Sequence, residues 1–374
     1  MSLMHEMGAK ALKLGVPISV HLDLTYRCNE RCIHCYLDHD DHGEMTTAEI
    51  KDLLNQLADS GVFFLTLSGG EIFLRKDLFE IVEHARRLMF SVKLKTNAVM
   101  IRESHARRIA KLGVEVVQIS IYSHRPEVHD EITKMPGSLK RSIEGARLLR
   151  QAGVKVIFAD VLMRNNFEDH SGVRALALDL GAKFTVDPTI TPMMDGDRSI
   201  LSLNIKPEDL REAFRNPDLV GDVDEFCAVP KGPMDAEEAM DMLPCSAGHT
   251  ACYVSPYGDL YPCVQFPLPS GNVRTQKFID IWNDSPQLKE VRTITISELQ
   301  GCSSCSHSSS CSRCPGLAYM EGNMRGPSSQ DCEKSYARTG VVTAGMLARN
   351  RPPVPAAALV QIQGVKIPAL QHAS

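Results

Sequence analysis

The sequence predicts an α/β protein in which six βα units form an open or partial parallel barrel, followed by a small cysteine-rich domain. Three observations support this prediction. Between residues 18 and 187, a helix-like segment that ends at glycine repeatedly leads into a β-branched strand. The strands are nearly continuous apolar runs, which is typical of strands covered on both faces. Eight cysteines then lie between Cys245 and Cys332, which marks a second unit of different composition.

A chain of 374 residues is long for one hydrophobic core and suits more than one domain. Residues 191–244 are rich in Pro, Asp and Met and read as a bridge with one helix near 206–215. From the sequence we therefore expect an N-terminal extension (1–17), a barrel (18–190), the bridging region (191–244), a cysteine-rich domain (245–335) and a C-terminal tail (336–374).

Composition and charge restrict the class of protein. The hydrophobic fraction of 43% is globular, and no apolar run is long enough to span a bilayer or to form an export signal. The net charge of -5 and the lack of a basic block interleaved with aromatics give no basis for nucleic-acid binding. We expect a cytoplasmic protein with neither a membrane nor a nucleic acid as its partner. In that reducing compartment, twelve cysteines indicate metal or cluster ligands rather than disulfides.

Six segments carry the predicted strands, namely "ISVHLDLT", "LADSGVFFLTLS", "SVKLKTN", "AKLGVEVVQISIYS", "RQAGVKVIFADVL" and "LDLGAKFTVD". Four glycines at the helix ends predict left-handed caps: Gly61, Gly113, Gly153 and Gly181. Alternation of strands and helices predicts a parallel sheet. In parallel barrels the site lies at the carboxyl ends of the strands, and those loops hold the unusual residues of this chain.

The loop after the first strand, "TYRCNERCIHCYL", contains Cys28, Cys32 and Cys35 at gaps of three and two residues. Three thiolates are one short of a closed structural zinc site made of cysteines alone. An iron–sulfur cube held by three cysteines leaves one iron open to an external ligand. On spacing alone, scattered thiols or a zinc site completed by His34 remain alternatives.

The loop after the second strand, "LSGGEIFLRKD", places Gly69 and Gly70 directly before Glu71. The two glycines allow a ligand to approach the backbone closely. An acidic side chain can hold an ammonium group. The loop therefore predicts a binding site for a small cationic ligand beside the cysteines.

Together, C-x3-C-x2-C and the following Gly-Gly-Glu resemble the radical S-adenosylmethionine superfamily over residues 18–190. The resemblance implies a partial (β/α)6 TIM barrel and a 4Fe–4S cluster on Cys28, Cys32 and Cys35. It also implies that S-adenosylmethionine chelates the open iron and is cleaved to a 5′-deoxyadenosyl radical, which abstracts hydrogen from a substrate.

The same resemblance implies which residues contact the cofactor. Glu71 matches the partner of its amino group, and His34 matches the position beside its adenine. Asn97 and Ser120 match positions that face its ribose or carboxylate, although either could equally cap a strand end. The full set of expected cofactor-binding residues is His34, Gly69, Gly70, Glu71, Asn97 and Ser120.

The second cysteine region includes "CSSCSHSSSCSRC", whose two CxxC pairs also suit a zinc ribbon. The longer pattern resembles the SPASM extension of radical S-adenosylmethionine enzymes, although Cys314 follows Cys311 after two residues where three are usual. This resemblance implies two auxiliary 4Fe–4S clusters. The first would be held by Cys245, Cys252, Cys263 and Cys314, and the second by Cys302, Cys305, Cys311 and Cys332.

Cys227 is expected to be a buried thiol, and "SPYGDLYPC" predicts a hairpin that turns at Gly258.

Relatives with this combination most often mature ribosomally made peptides by crosslinking, decarboxylation, epimerisation or excision, and the pattern resembles mycofactocin-type maturases. Such an enzyme implies an external electron donor. Because only about seventeen residues precede the first strand, a separate leader-peptide-recognition protein is also expected. A haem-pathway enzyme acting on tetrapyrrole side chains is one alternative, and a non-catalytic iron–sulfur electron carrier is another. No catalytic acid or base is identified.

Overall fold

The computed structural model describes residues 3–235, 237, 240 and 242–348. The predicted C-terminal tail from residue 349 onward lies outside the described residues. Six strands form the predicted barrel: β1 (Ser19–Asp23), β2 (Phe64–Ser68), β3 (Ser91–Thr96), β4 (Val116–Ser120), β5 (Val156–Val161) and β6 (Lys183–Asp187). Each strand pairs in parallel with the next one along the chain. The predicted α/β fold with an open parallel barrel is confirmed.

Helices connect these strands and cover the outer face of the barrel. They are α1 (Leu3–Leu14), α2 (Thr47–Asp59), α3 (Leu78–Arg87), α4 (Glu103–Lys111), α5 (Pro126–Thr133), α6 (Ser138–Gln151) and α7 (His170–Asp179). The glycines that precede the strands have positive φ, from 64° at Gly181 to 89° at Gly61, as expected for left-handed caps. Alternate strand residues such as Leu22, Leu67 and Val117 are buried against the helices in one large apolar core.

The cysteine-rich domain continues the barrel sheet, which the sequence did not predict. Its first strand, β7 (Ala251–Val254), pairs in parallel with β1, and His21 lies opposite Tyr253. The next strand, β8 (Asp259–Tyr261), folds back antiparallel through the predicted turn at Gly258, whose φ is 89°. With β9 (Gly271–Asn272), the sheet has nine strands in the order β6-β5-β4-β3-β2-β1-β7-β8-β9. The two units therefore share one sheet.

Short helices make up the rest of the described chain. In the bridging region lie α8 (Pro207–Ala213), α9 (Pro217–Val220) and α10 (Val223–Phe226), and the first of these matches the predicted helix. In the cysteine-rich domain lie α11 (Phe278–Asp284), α12 (Pro286–Arg292), α13 (Pro315–Met320), α14 (Ser329–Thr339) and α15 (Ala344–Ala348). The predicted boundary at residue 335 falls inside α14. Among the described residues, no helix has both the length and the apolarity to cross a membrane.

Candidate active site

The cysteine loop leaves β1 and is held in place by backbone hydrogen bonds. Arg31 N donates to Thr133 O at 3.0 Å, and Ile33 N donates to Ile132 O at 3.0 Å, so the loop is fixed to the end of α5. Cys35 N donates to Cys32 O at 3.0 Å. These bonds hold the three cysteines of one short segment above the carboxyl ends of the strands without using their thiols.

Gly69 and Gly70 let the second loop pack directly on the cysteine loop. A Cβ atom at Gly69 would lie 2.1 Å from Thr25 O, and one at Gly70 would lie 2.3 Å from Arg27 O. Gly70 N donates to Thr25 O at 2.7 Å, and Gly69 has a φ of 137° that disfavours other residues. The structure shows a close approach between two loops of the chain itself, and the expected approach of a ligand to these glycines stays a prediction.

Glu71 connects this second loop to the end of β3. Its fully buried carboxylate accepts hydrogen bonds from Phe73 N at 2.9 Å, Asn97 N at 2.9 Å and Thr96 Oγ1 at 2.8 Å. Burial raises the pKa of this carboxyl group. In this structure Glu71 fixes the backbone of Asn97, and its assignment to the amino group of a cofactor stays a prediction.

A chamber of about 710 Å³ opens between the two loops and the inner faces of the strands. Its wall includes the three loop cysteines and all the predicted cofactor-binding residues except Glu71, namely His34, Gly69, Gly70, Asn97 and Ser120. Asn97 Nδ2 donates to Asn29 Oδ1 at 2.8 Å. His34 packs edge-on against Tyr122 with ring centroids 4.7 Å apart, and its Nδ1 has no hydrogen-bond partner. Burial lowers the pKa of His34 to about 4, which keeps the imidazole neutral.

The chamber also contains charged residues that the sequence analysis did not single out. Lys93 and Lys95 project from the inner face of β3 and alternate with the buried Val92, Leu94 and Thr96. Their alternation with apolar residues in "SVKLKTN" was a signal, but only the structure shows which face lines the chamber.

The loop thiols are buried, and burial opposes their ionisation unless a positive partner is bound. Burial raises the pKa of Cys28 to about 12 and that of Cys32 well above its usual value. A thiolate at these positions therefore requires a cationic partner such as cluster iron. The amide of Glu30 already donates to Cys28 Sγ at 3.4 Å, as it would to a ligating sulfur. The donor set thus fits the predicted cluster.

Four cysteines of the second region surround a single small cavity. They are Cys302, Cys305, Cys311 and Cys332. Burial raises the pKa of Cys302 to about 11, and the three other thiols contribute to the increase. The interleaved grouping expected for the second auxiliary cluster is therefore present in space, while the bound cluster itself stays a prediction.

The other four cysteines also lie close to one another. Besides burial, the nearby Cys263 raises the pKa of both Cys252 and Cys314, and Cys245 raises the pKa of Cys263. Val264 and Gln265, next to Cys263, line the chamber of the barrel. The group expected for the first auxiliary cluster thus borders the chamber that the loop cysteines line. Cys227 is half-buried, and its thiol donates to Phe214 O at 3.4 Å.

All twelve cysteines are free thiols rather than disulfides, as expected. Within the described ranges, no three His, Cys, Asp or Glu side chains converge closely enough to hold a single metal ion. A buried polar network joins β1 and the segment after it to the cysteine-rich domain. There Tyr253 OH donates to Asp23 at 2.9 Å and lies 2.7 Å from the hydroxyl of Tyr26.

Comparison with known families agrees with this geometry. The signature of the Radical SAM superfamily matches residues 22–175. The signature of the iron–sulfur cluster-binding SPASM domain matches residues 245–315. The first covers the barrel strands β2 to β5 and the cysteine loop, and the second covers seven of the eight later cysteines.

Two curated relatives are each 28% identical to this chain. The AdoMet-dependent heme synthase of Methanosarcina barkeri matches over 82% of this chain and 93% of its own length. The mycofactocin maturase MftC of Mycobacterium tuberculosis matches over 90% of this chain and 88% of its own length. Streptococcus suis SuiB, in a crystal structure with its precursor peptide SuiA, superposes with a TM-score of 0.70 at 18% identity. That superposition covers 87% of this chain and 79% of SuiB, and it shows the common fold.

Proposed function

The chain is a radical S-adenosylmethionine enzyme with a SPASM domain, and from that premise we propose that it modifies a ribosomally made peptide. When bound, S-adenosylmethionine and its 4Fe–4S cluster supply a 5′-deoxyadenosyl radical that abstracts hydrogen from the substrate. Auxiliary iron–sulfur clusters belong to the SPASM domain. An electron carrier without a substrate would have no use for the chamber beside the cysteine loop.

The observation that carries the peptide proposal is the shape of the approach to the cysteine loop. A groove of about 900 Å³ lies on the outer side of β6, and residues 183–187, Thr189 and Gln265 line both this groove and the chamber. The two spaces therefore meet around one edge of the sheet. In the described sheet, β6 has a neighbour on one side alone. A groove beside a strand edge that is unpaired in the described sheet suits an extended peptide, which can pair with such an edge.

The chain's own residues have defined tasks in the proposed reaction. Glu71 holds the end of β3, so that Asn97 faces the space below the cysteine loop. Val264 and Gln265 form the wall of the chamber on the side of the cysteine-rich domain. A wall of protein limits the access of water, which protects a radical from side reactions. These residues position the end of β3 and the wall of the chamber, and none of them is proposed as the acid or base of the reaction.

Two partners belong to the same proposal. Cleavage of the sulfonium bond consumes one electron, so the enzyme needs an external one-electron donor. A separate protein is proposed to recognise the leader of the peptide. Calorimetry with the leader segment tests the second partner, because tight binding by the isolated chain would remove the need for it.

The proposal is tested with anaerobically reconstituted enzyme that contains about twelve iron and twelve sulfide per chain, as three cubes require. The enzyme is incubated with S-adenosylmethionine, a reductant and short peptides encoded beside its gene. We expect 5′-deoxyadenosine together with a mass change in one peptide. A Cys28→Ala enzyme is the matched control and should give neither product.

A second candidate function follows from the relative that is a heme synthase. In that case the substrate would be an iron tetrapyrrole with propionate side chains. The same preparation is mixed with such a tetrapyrrole, and binding is followed by its visible absorption. Conversion of the tetrapyrrole with no change in any peptide would replace the peptide proposal.

A further inference from the structure

The inward-facing residues of this barrel are polar at positions where a parallel barrel normally has apolar side chains. Barrel interiors are usually filled by layers of branched apolar side chains. Here the inner faces of three neighbouring strands carry His21, Thr66 and Lys93, which lie opposite one another in the sheet register. One level closer to the cysteine loop, Lys95 lies opposite Gln118. These positions do not form a core, and all but Thr66 line the chamber.

The two lysines have no close anionic partner. Among the described residues, neither ammonium group makes a hydrogen bond or an ion pair within 4.0 Å, although Lys51, Lys155 and Lys334 do. The negative groups that act on Lys95 at longer range are Asp23, the Cys263 thiol and Asp187. Asp23 is already bonded to His21 and to the hydroxyl of Tyr253. The positive charge is therefore not neutralised locally.

An unpaired ammonium group is costly in a partly enclosed space. Desolvation lowers the pKa of both lysines, and for Lys93 the neighbouring Lys95 adds to the decrease. The charge of Lys95 also lowers the pKa of His21 beyond the effect of burial. The floor of the chamber is thus electropositive, and a bound anion would relieve this cost.

The register shows where a bound anion would lie relative to the cysteine loop. Lys95 lies two residues before Asn97, the first residue after β3, which is about 7 Å along the chain. Lys93 lies about 7 Å deeper again. If Lys93 and Lys95 bind an anionic group, the neighbouring atoms of that ligand would lie between the lysines and the space below Cys28, Cys32 and Cys35. Those atoms would lie close to where the radical forms.

We propose that Lys93 and Lys95 form a carboxylate-binding subsite on the barrel floor, which anchors a carboxylate group of the substrate and positions the carbon next to it for hydrogen abstraction. This inference rests on the proposed function in taking a peptide as the source of that carboxylate. Lysine suits such a role as a compact point charge on a flexible stem. Lys95 is the nearer of the two to the cysteine loop and contributes more to orientation.

The first experiment needs no knowledge of the true substrate. The anaerobic holoenzyme is treated with N-acetoxysuccinimide in the presence of glutarate or of the neutral glutaramide at equal ionic strength. Mass spectrometry of proteolytic fragments then gives the acetylation rate of each lysine. Glutarate should slow acetylation of Lys93 and Lys95 at least threefold, as estimated for a weak ion pair, and should leave the exposed Lys155 unaffected. Equal rates with glutarate and glutaramide would overturn the proposal.

The second experiment uses a peptide that the enzyme converts. Lys95→Met removes the charge with little change in length, and Lys95→Arg keeps the charge. We expect Lys95→Met to raise the KM for the peptide about 10-fold to 100-fold, the loss typical of a charge-assisted hydrogen bond. Lys95→Arg should recover a substantial part of this loss, and Lys155→Met serves as the matched surface control.

Three outcomes of the second experiment are decisive. An unchanged KM in both Lys95→Met and Lys93→Met would overturn the subsite. Loss of substrate-independent cleavage of S-adenosylmethionine in Lys95→Met would also overturn it, because the lysine would then serve the cofactor. If the peptide carboxylate is replaced by an amide, the wild-type enzyme and Lys95→Met should have the same KM. That result would support the subsite. If the wild-type enzyme converts no peptide at all, the proposed function fails, and the acetylation experiment alone decides the subsite.

Discussion

The two cysteine regions of this molecule are built in opposite ways. The three barrel thiols come from one short loop, which backbone hydrogen bonds fix to α5. The later cysteines come from segments spread between residues 245 and 332, and the two groups interleave because Cys314 of the first lies between Cys311 and Cys332 of the second. The large apolar core extends from the barrel into β7, β8, α11 and α12, whereas a smaller cluster of buried residues packs against Cys263 and Cys302, namely Phe266, Val291, Ile294, Ile296, Leu299 and Met324. We therefore expect the first region to keep its fold without a cluster and the second region to depend on its clusters for stability.

The largest expected effect tests the first half of this comparison. The combined change of Cys28, Cys32 and Cys35 to Ala should lower 5′-deoxyadenosine formation by about 1000-fold or more, because the cluster has no other ligands. The barrel should stay folded, since none of these thiols belongs to its core. Chromatography of the nucleoside and circular dichroism measure the two effects. Cys227→Ala is the matched control, and an unfolded triple variant would show that the barrel also depends on its cluster.

Removal of iron tests the second half of the comparison, which concerns the later cysteines. Iron chelation should increase amide hydrogen exchange in residues 296–339, which lie outside the large apolar core, because metal binding there is coupled to folding. Exchange in β2 to β5 should change little, because their protection depends on apolar packing. Hydrogen exchange followed by mass spectrometry measures both regions in one sample. A uniform increase across the chain would contradict the difference between them.

A smaller effect concerns the pH dependence of the barrel. Burial lowers the pKa of His129 to about 4, and its Nδ1 accepts a hydrogen bond from Tyr122 N at 3.1 Å. Between pH 6.5 and pH 4 the unfolded chain therefore binds a proton that the folded chain does not. The free energy of unfolding should fall by about 2 kcal/mol from pH 7 to pH 5 through this residue.

Denaturant unfolding of the wild-type protein and of His129→Gln at both pH values measures this contribution. The variant should show a smaller decrease, because glutamine takes up no proton. An equal decrease in the two proteins would assign the acid sensitivity of the barrel to other groups.

The smallest expected effect lies within the barrel site itself. Glu71→Gln should lower the free energy of unfolding by about 1–2 kcal/mol, because an amide cannot accept all the hydrogen bonds that converge on the buried carboxylate. Glu80→Gln is the matched control, since the Glu80 side chain is 58% exposed and surface ion pairs contribute little. Chemical denaturation compares the two variants. Equal stability of Glu71→Gln and the wild type would show that Glu71 does not stabilise the end of β3.

Local signals in the sequence were enough to predict the barrel. Glycine caps such as Gly61 and Gly153, and the apolar strands that follow them, depend on neighbouring residues alone. The pairing of β1 with β7 could not be predicted, because it joins segments more than 200 residues apart and no local pattern encodes it.

The site shows the same limit. The loop cysteines could be identified because their spacing is local, and the grouping of Cys311 with Cys332 came from a resemblance rather than from the residues themselves. Lys93 and Lys95 were missed because a lysine in a strand normally indicates a solvated face. The sheet curves around the chamber, so this face of β3 lines the chamber instead of contacting bulk solvent.

The most direct test of the account follows the hydrogen atom itself. The holoenzyme is incubated with S-adenosylmethionine, a reductant and a peptide substrate that carries deuterium on its carbon atoms. The 5′-deoxyadenosine is then analysed by mass spectrometry. The account predicts that deuterium from the peptide appears in the nucleoside in step with the modified peptide. A modified peptide accompanied by 5′-deoxyadenosine without deuterium would contradict hydrogen abstraction in the chamber below Cys28, Cys32 and Cys35.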